Sequence, residues 1–100
     1  MYCKDIFFIL SFLMEFEFDP AKSVANKAKH GIDFVDAREL WSDPERVLAP
    51  ALVGPEPRFV AIGRIGGRIW TAIFTWRTDR VRIISVRRAR KNEAERYEKG

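Results

Sequence analysis

The chain of 100 residues is almost empty of the side chains that hold metals and disulfides. Its one cysteine, Cys3, excludes an intrachain disulfide framework and any cysteine-rich zinc site. With His30 as the only histidine, a structural zinc cluster has almost no ligands to draw on, and neither metal nor cofactor is expected. A Gly-rich phosphate loop is also lacking. Gly63-Arg64-Ile65-Gly66-Gly67 reads as a hairpin signal instead, and there is no nucleophile elbow. The longest nearly unbroken apolar run, Ile6 to Met14, falls far short of the ~20 residues that span a bilayer, so no membrane role is expected. One cysteine fits a reducing, cytoplasmic setting. Between residues 58 and 90 there is no lysine and a single acid, Asp79.

What fills that acid-poor stretch is arginine: Arg58, Arg64, Arg68, Arg77, Arg80, Arg82, Arg87, Arg88 and Arg90, nine cations against one anion. Residues 14–57 are the reverse, with five basic and nine acidic side chains. The formal charge of +4 therefore averages an acidic half and a strongly basic one. A composition of 47% hydrophobic and 32% charged residues fits one globular domain with a modest core.

Residues 1–13 read as an extension outside the domain. Lys4 is cancelled by Asp5, no small-residue cleavage site follows, and Met14 directly precedes the first patterned segment. The expected domain is therefore 14–100, with Met14 as its start. Glu15-Phe16-Glu17-Phe18 alternates as a half-buried strand. Asp19-Pro20 opens a helix that ends at His30-Gly31, with Val24 and Ala28 as a thin apolar stripe. A second helix is capped by Asp33 and buries Phe34, Ala37, Leu40 and Trp41 before Asp43-Pro44 ends it. A loop rich in proline follows, with room for a short strand at Val47 to Ala49.

The second half reads as sheet. Arg58 to Ile65 and Arg68 to Trp76 flank a Gly66-Gly67 turn, and the second of these strands, apolar throughout, is expected at the centre. Arg77-Thr78-Asp79 turns into a third strand, Val81 to Arg88, and Ala89 to Tyr97 is helical in pattern. The expected class is α+β: a small antiparallel sheet, made of a three-strand meander plus an N-terminal strand, with two N-terminal helices and a C-terminal helix. Strict alternation puts Arg82, Ile84, Val86 and Arg88 on one face of the third strand, and Val81, Ile83, Ser85 and Arg87 on the other. Arginines crowded onto one small sheet repel one another unless a polyanion meets them. Arginine's planar fork matches phosphate oxygens in pairs, which points to nucleic acid.

Phe16-Glu17-Phe18-Asp19-Pro20-Ala21-Lys22, then Asn26 and Lys29-His30-Gly31, resembles the opening of the BrnT toxins. Arg58-Phe59-Val60-Ala61-Ile62-Gly63 and Arg82-Ile83-Ile84-Ser85-Val86-Arg87-Arg88-Ala89-Arg90-Lys91, with Glu93, Arg96 and Tyr97, resemble the family's later signatures. The likeness runs over residues 14 to 98. It implies a RelE-like fold and a cytoplasmic ribonuclease toxin of a type II toxin–antitoxin system that stalls translation. It further implies a BrnA-like antitoxin with a DNA-binding domain, through which operator DNA would be bound indirectly. Cleavage in RelE-like enzymes needs no metal: the ribose 2′-OH attacks the adjacent phosphate and leaves a cyclic phosphate. On this resemblance Arg58, Arg87 and Arg88 would clamp the scissile phosphate, with Tyr97 helping at the 2′-OH or the leaving oxygen. Arg64, Arg68, Arg80, Arg82 and Lys91 would hold flanking phosphates. His30, Lys91 and Glu93 are further candidates for moving the protons, because arginine stays charged. The alternative is a basic module without catalysis that binds structured RNA or an acidic protein.

Overall fold

The computed structural model describes residues 15–51 and 55–99. The element order is β1 (Glu15–Glu17), α1 (Pro20–His30), α2 (Phe34–Ala37), a 3₁₀ turn (Arg38–Ser42), β2 (Val47–Ala51), β3 (Arg58–Ile65), β4 (Arg68–Arg77), β5 (Arg80–Arg88) and α3 (Lys91–Lys99). The strands form one sheet in the order β1-β5-β4-β3-β2. The α+β class stands as expected, and β4 lies at the sheet's centre. The apolar stretch before Glu15 and the expected start at Met14 lie outside the described residues.

Local chemistry sets the helix ends. The Asp19 carboxylate accepts from Ala21 N at 2.9 Å, with Pro20 at the first helical position, where its missing N–H costs nothing. Gly31 closes α1 at φ 85°, donating to Lys27 O at 2.9 Å. Asp33 caps α2 by accepting from Asp36 N at 2.8 Å. The chain then tightens into the 3₁₀ turn, and Phe34, Ala37, Leu40 and Trp41 all face inward. They pack on Ala61, Trp70, Ala72, Phe74, Val81, Ile83 and Val86 of the sheet. Trp41 stands edge-on to both Phe16 and Phe74, with ring centroids 5.2 Å apart in each case. This inner face is the main core.

Several details differ from the sequence-based expectation. The sheet has five strands and is mixed. β2 joins β3, so the antiparallel meander has four strands, while β1 runs parallel to β5 with Glu15, Phe16 and Glu17 opposite Arg80, Val81 and Arg82. A pairing between segments more than 60 residues apart leaves no hairpin signal, and Pro50 is tolerated because β2 is an edge strand.

Helix α1 does not bury its apolar stripe: Val24 is 71% exposed. Its buried residues are Ser23 and Asn26. β1 is only three residues long, so the outer edge of β5 beyond it needs another partner. Asn26 supplies one, donating through Nδ2 to Val86 O (2.9 Å) and Ile32 O (2.8 Å) and accepting from Val86 N at 3.1 Å. Ser23 Oγ accepts from Phe34 N at 2.9 Å. The helix is docked by polar groups because it meets backbone.

Strand β5 also carries a bulge. Ile73 lies opposite Ser85 but Phe74 lies opposite Ile83, so Ile84 is the extra residue. Alternation resets there. Arg88 ends on the inner face, opposite Trp70 in the row of Val86, while Arg82, Ser85 and Arg87 share the outer face. The faces expected from strict alternation are therefore corrected beyond Ile84. The turn before β5 is also shorter, Thr78-Asp79 between paired Arg77 and Arg80, and α3 starts at Lys91, with Ala89 N still bonded to Ile69 O at 3.0 Å.

Candidate nucleic-acid interface

The outer face carries Arg58, Arg64, Arg77, Arg80, Arg82 and Arg87, in two groups separated by the arginine-free row of Val60, Ile73 and Ser85. At the β1 end these cations meet acids. Arg82 Nη1 lies 3.0 Å from Glu17 Oε2, and Arg80 Nε lies 3.0 Å from Glu15 Oε1. Arg58 Nη2 lies 3.7 Å from Glu56. The short parallel strand thus lays a carboxylate on each of the two arginines that follow the Thr78-Asp79 turn.

Arg87 is tied at the other end of β5. Its guanidinium grips Glu93 of α3 in two parallel bonds, Nη1 to Oε1 at 2.8 Å and Nη2 to Oε2 at 2.9 Å. Glu93 Oε1 also accepts from Thr71 Oγ1 (3.0 Å) and from Arg90 N (2.8 Å), the latter being the returning half of a capping box at the start of α3. Hydrogen bonding to Arg87 holds the Glu93 carboxyl down at about 2, and the same bond raises the Arg87 guanidinium. Thr71 and Arg87 are cross-strand partners, so this one carboxylate joins β4, β5 and α3.

Tyr97 is tied as well. Its hydroxyl donates to Asp43 Oδ2 at 2.7 Å, and the same oxygen accepts from Arg64 N at 2.8 Å. Asp43 Oδ1 accepts from Glu45 N at 2.8 Å. Burial, and then the bond to Asp43, pushes the Tyr97 phenol up. The Arg64 guanidinium covers the Tyr97 ring at 5.5 Å. The approach is close because residue 63 is glycine: a Cβ there would lie 2.9 Å from Leu40 Cδ2 and 3.4 Å from Asp43 Oδ2.

A different set of cations is left without an acid. Among the described residues, Arg64, Arg68, Arg88, Arg90 and Lys91 have no carboxylate within 4.0 Å, and neither has Arg77 at the β1 end. Arg64 and Arg68 flank the Gly66-Gly67 turn, and Arg88 and Arg90 lie where β5 leaves the sheet beside β4's first residues. Arg88 rests on the Trp70 ring at 5.7 Å. The expected flanking set is therefore divided: Arg64, Arg68 and Lys91 gather at the hairpin end with Arg88, while Arg80 and Arg82 sit with Arg58 at the β1 end. The expected clamp does not converge on one point. Arg87 and Arg88 face opposite sides of the sheet, and Arg58 is four residues, roughly 13 Å, along the strand from the row of Ile62, Thr71 and Arg87.

His30 follows Asn26 by one helical turn on the same side of α1. Asn26 is the residue of that side bonded to Val86 of β5. The groups to which sequence reasoning gave no site role are Asn26, Thr71 and Asp43, although Asn26 stands in the family-like opening. Asp43 could be read only as a helix terminator before Pro44, because its partners are 21 and 54 residues away.

A small α+β domain with a group of acid-free cations at one hairpin end, and other sheet arginines locked by carboxylates, has the make-up of a phosphate-binding protein. The family comparison narrows this. The chain belongs to the BrnT family, the ribonuclease toxin of type II toxin–antitoxin systems, whose model matches residues 18–93. No curated protein matches it. The matched stretch takes in Asn26, His30, Asp43, every arginine from Arg58 to Arg90, and Glu93. Tyr97 lies beyond it. No helix among the described residues is long and apolar enough to cross a membrane.

Proposed function

We propose that this BrnT family member, with a RelE-like arrangement, cleaves RNA in the cytoplasm without a metal and thereby blocks translation. The observation that carries the reading is the group of acid-free cations at the hairpin end, set in a chain of a ribonuclease toxin family. Arg88 would contact the scissile phosphate, where its fixed positive charge stabilises the negative charge that builds as the 2′-OH attacks. Arg64, Arg68 and Lys91 would hold the flanking phosphates, and Arg58, Arg80 and Arg82 would extend the track along the outer face. A proton must also leave the 2′-OH and another reach the departing 5′-oxygen. The Tyr97 hydroxyl is engaged by Asp43, and both Glu93 oxygens are occupied. His30 and Lys91 are the candidates with free nitrogens, Lys91 lying three residues from Arg88. A BrnA-like antitoxin would neutralise the toxin by covering these cations with carboxylates, and would carry the complex to operator DNA.

The test is cleavage of naked RNA and of programmed ribosomes by the purified full chain in excess EDTA. Cleavage leaving a 2′,3′-cyclic phosphate, lost in Arg88→Ala, is the expected outcome. Folded protein that binds RNA but cuts neither substrate would instead identify a binding module.

A further inference from the structure

We infer that Arg87 is not a phosphate ligand but a positioning residue, which with Glu93 and Thr71 forms a strap that holds Arg88 and Arg90 in place for the substrate. The inference rests on the ribonuclease reading and assigns the adjacent arginines opposite roles in it.

Both arms of the Arg87 fork are taken by Glu93, and Nη1 also donates to the Arg88 carbonyl at 3.3 Å. A phosphate reaching Arg87 would have to displace a bidentate carboxylate whose pairing is shielded, with the two side chains 22% and 16% exposed. Such partly buried, charge-assisted pairs are strong and geometrically specific. By contrast, Arg80–Glu15 is 53% and 65% exposed, the regime in which ion pairs are worth little and exchange readily.

The strap acts on the segment that leaves the sheet. Along residues 88–90 four backbone groups have fixed partners: Arg88 O accepts from Arg87, Ala89 N donates to Ile69 O, Arg90 N donates to Glu93 and Arg90 O accepts from Ala94 N. The Arg88 side chain lies on Trp70. The free cation is therefore held from its backbone on one side of the sheet and from its side chain on the other. Pre-setting a charge where negative charge develops avoids reorganisation during the reaction, and a misplacement of ~1 Å can cost on the order of 100-fold in rate.

The two roles separate in a mutant cycle on the full-length protein, read by single-turnover RNA cleavage and by the salt dependence of RNA binding. If Arg87 positions, Arg87→Ala and Glu93→Ala lower the cleavage rate to a similar extent, on the order of 10- to 100-fold, and the double variant is no worse than either. Neither changes the slope of log affinity against log salt. Arg88→Ala abolishes cleavage and flattens that slope by about 0.7, one single-strand phosphate contact. If Arg87 is instead a phosphate ligand, Arg87→Ala flattens the slope, and Glu93→Ala frees a cation, so that RNA binds at least as tightly and cleavage is kept. That result would overturn the inference. Should an alanine variant fail to fold by circular dichroism, Glu93→Gln carries the same test, since its amide oxygen can still accept from Arg90 N. A parent protein that binds RNA without cutting it overturns the ribonuclease reading alone, and the slopes still decide the role of Arg87.

Discussion

At the scale of single residues, strain and pairing identify what each side chain can be asked to do. Thr78 sits at φ 62° in a two-residue turn, a left-handed conformation that a β-branched side chain resists. Thr78→Gly removes that strain and should raise stability by about 1 kcal/mol, read as a higher urea midpoint with RNA cleavage retained. Glu93 gives a pH signature. Its carboxyl is held at about 2, below the ordinary 4.5, chiefly by the bond to Arg87. A carboxyl lowered by folding contributes stability that is complete above 4.5 and lost as pH falls towards 2. Stability should therefore decline through that window in the parent, and Glu93→Gln should decline less steeply there in acid titrations of the unfolding free energy.

At the scale of elements, the helices are joined to the sheet by polar clasps as much as by the core. Asn26 stands in for a sixth strand at the β5 edge by meeting both the N–H and the C=O of Val86. Asn26→Ala leaves these groups and Ile32 O without partners in a buried setting, at a cost on the order of 3 kcal/mol. A lower denaturation midpoint, with selectively faster hydrogen exchange at Val86 N–H, checks this. Global loss of protection without that local signal would argue against the clasp. The C-terminal helix is held in the same way, by Glu93 in its first turn and by Tyr97 in its last. Such clasps were illegible beforehand because an asparagine or aspartate within a helical pattern has the same appearance whether it faces water or a strand edge.

At the scale of the whole molecule, the charge partition seen along the chain is partly cancelled in space. The acidic N-terminal half lays Glu15 and Glu17 on Arg80 and Arg82, so the arginine-rich sheet is less bare than its composition suggests. RNA affinity should therefore depend unequally on the arginines. Arg68→Ala should weaken binding more than Arg80→Ala, since at Arg80 a substituted residue also frees the repelling Glu15 to move away into water. Affinities measured over a range of salt concentrations provide the check, and equal losses at the two positions would mean that the β1 pairs do not persist in solution.

What the sequence by itself determined is local: the caps at Asp19 and Asp33, the Gly66-Gly67 turn, the inward row from Phe34 to Trp41, the central place of β4 and the arginine-rich segment. Each depends on neighbours a few residues away, or on apolar periodicity that one chain displays in full. Tertiary structure decided the rest. The parallel partner of β5, the bulge at Ile84 that moved Arg88 to the inner face, and the carboxylates that met Arg82, Arg87 and Tyr97 all depend on groups distant in sequence or on a single unpaired residue. Composition can count the cations, but only the fold can bring an acid within 3 Å of some and leave others open to phosphate.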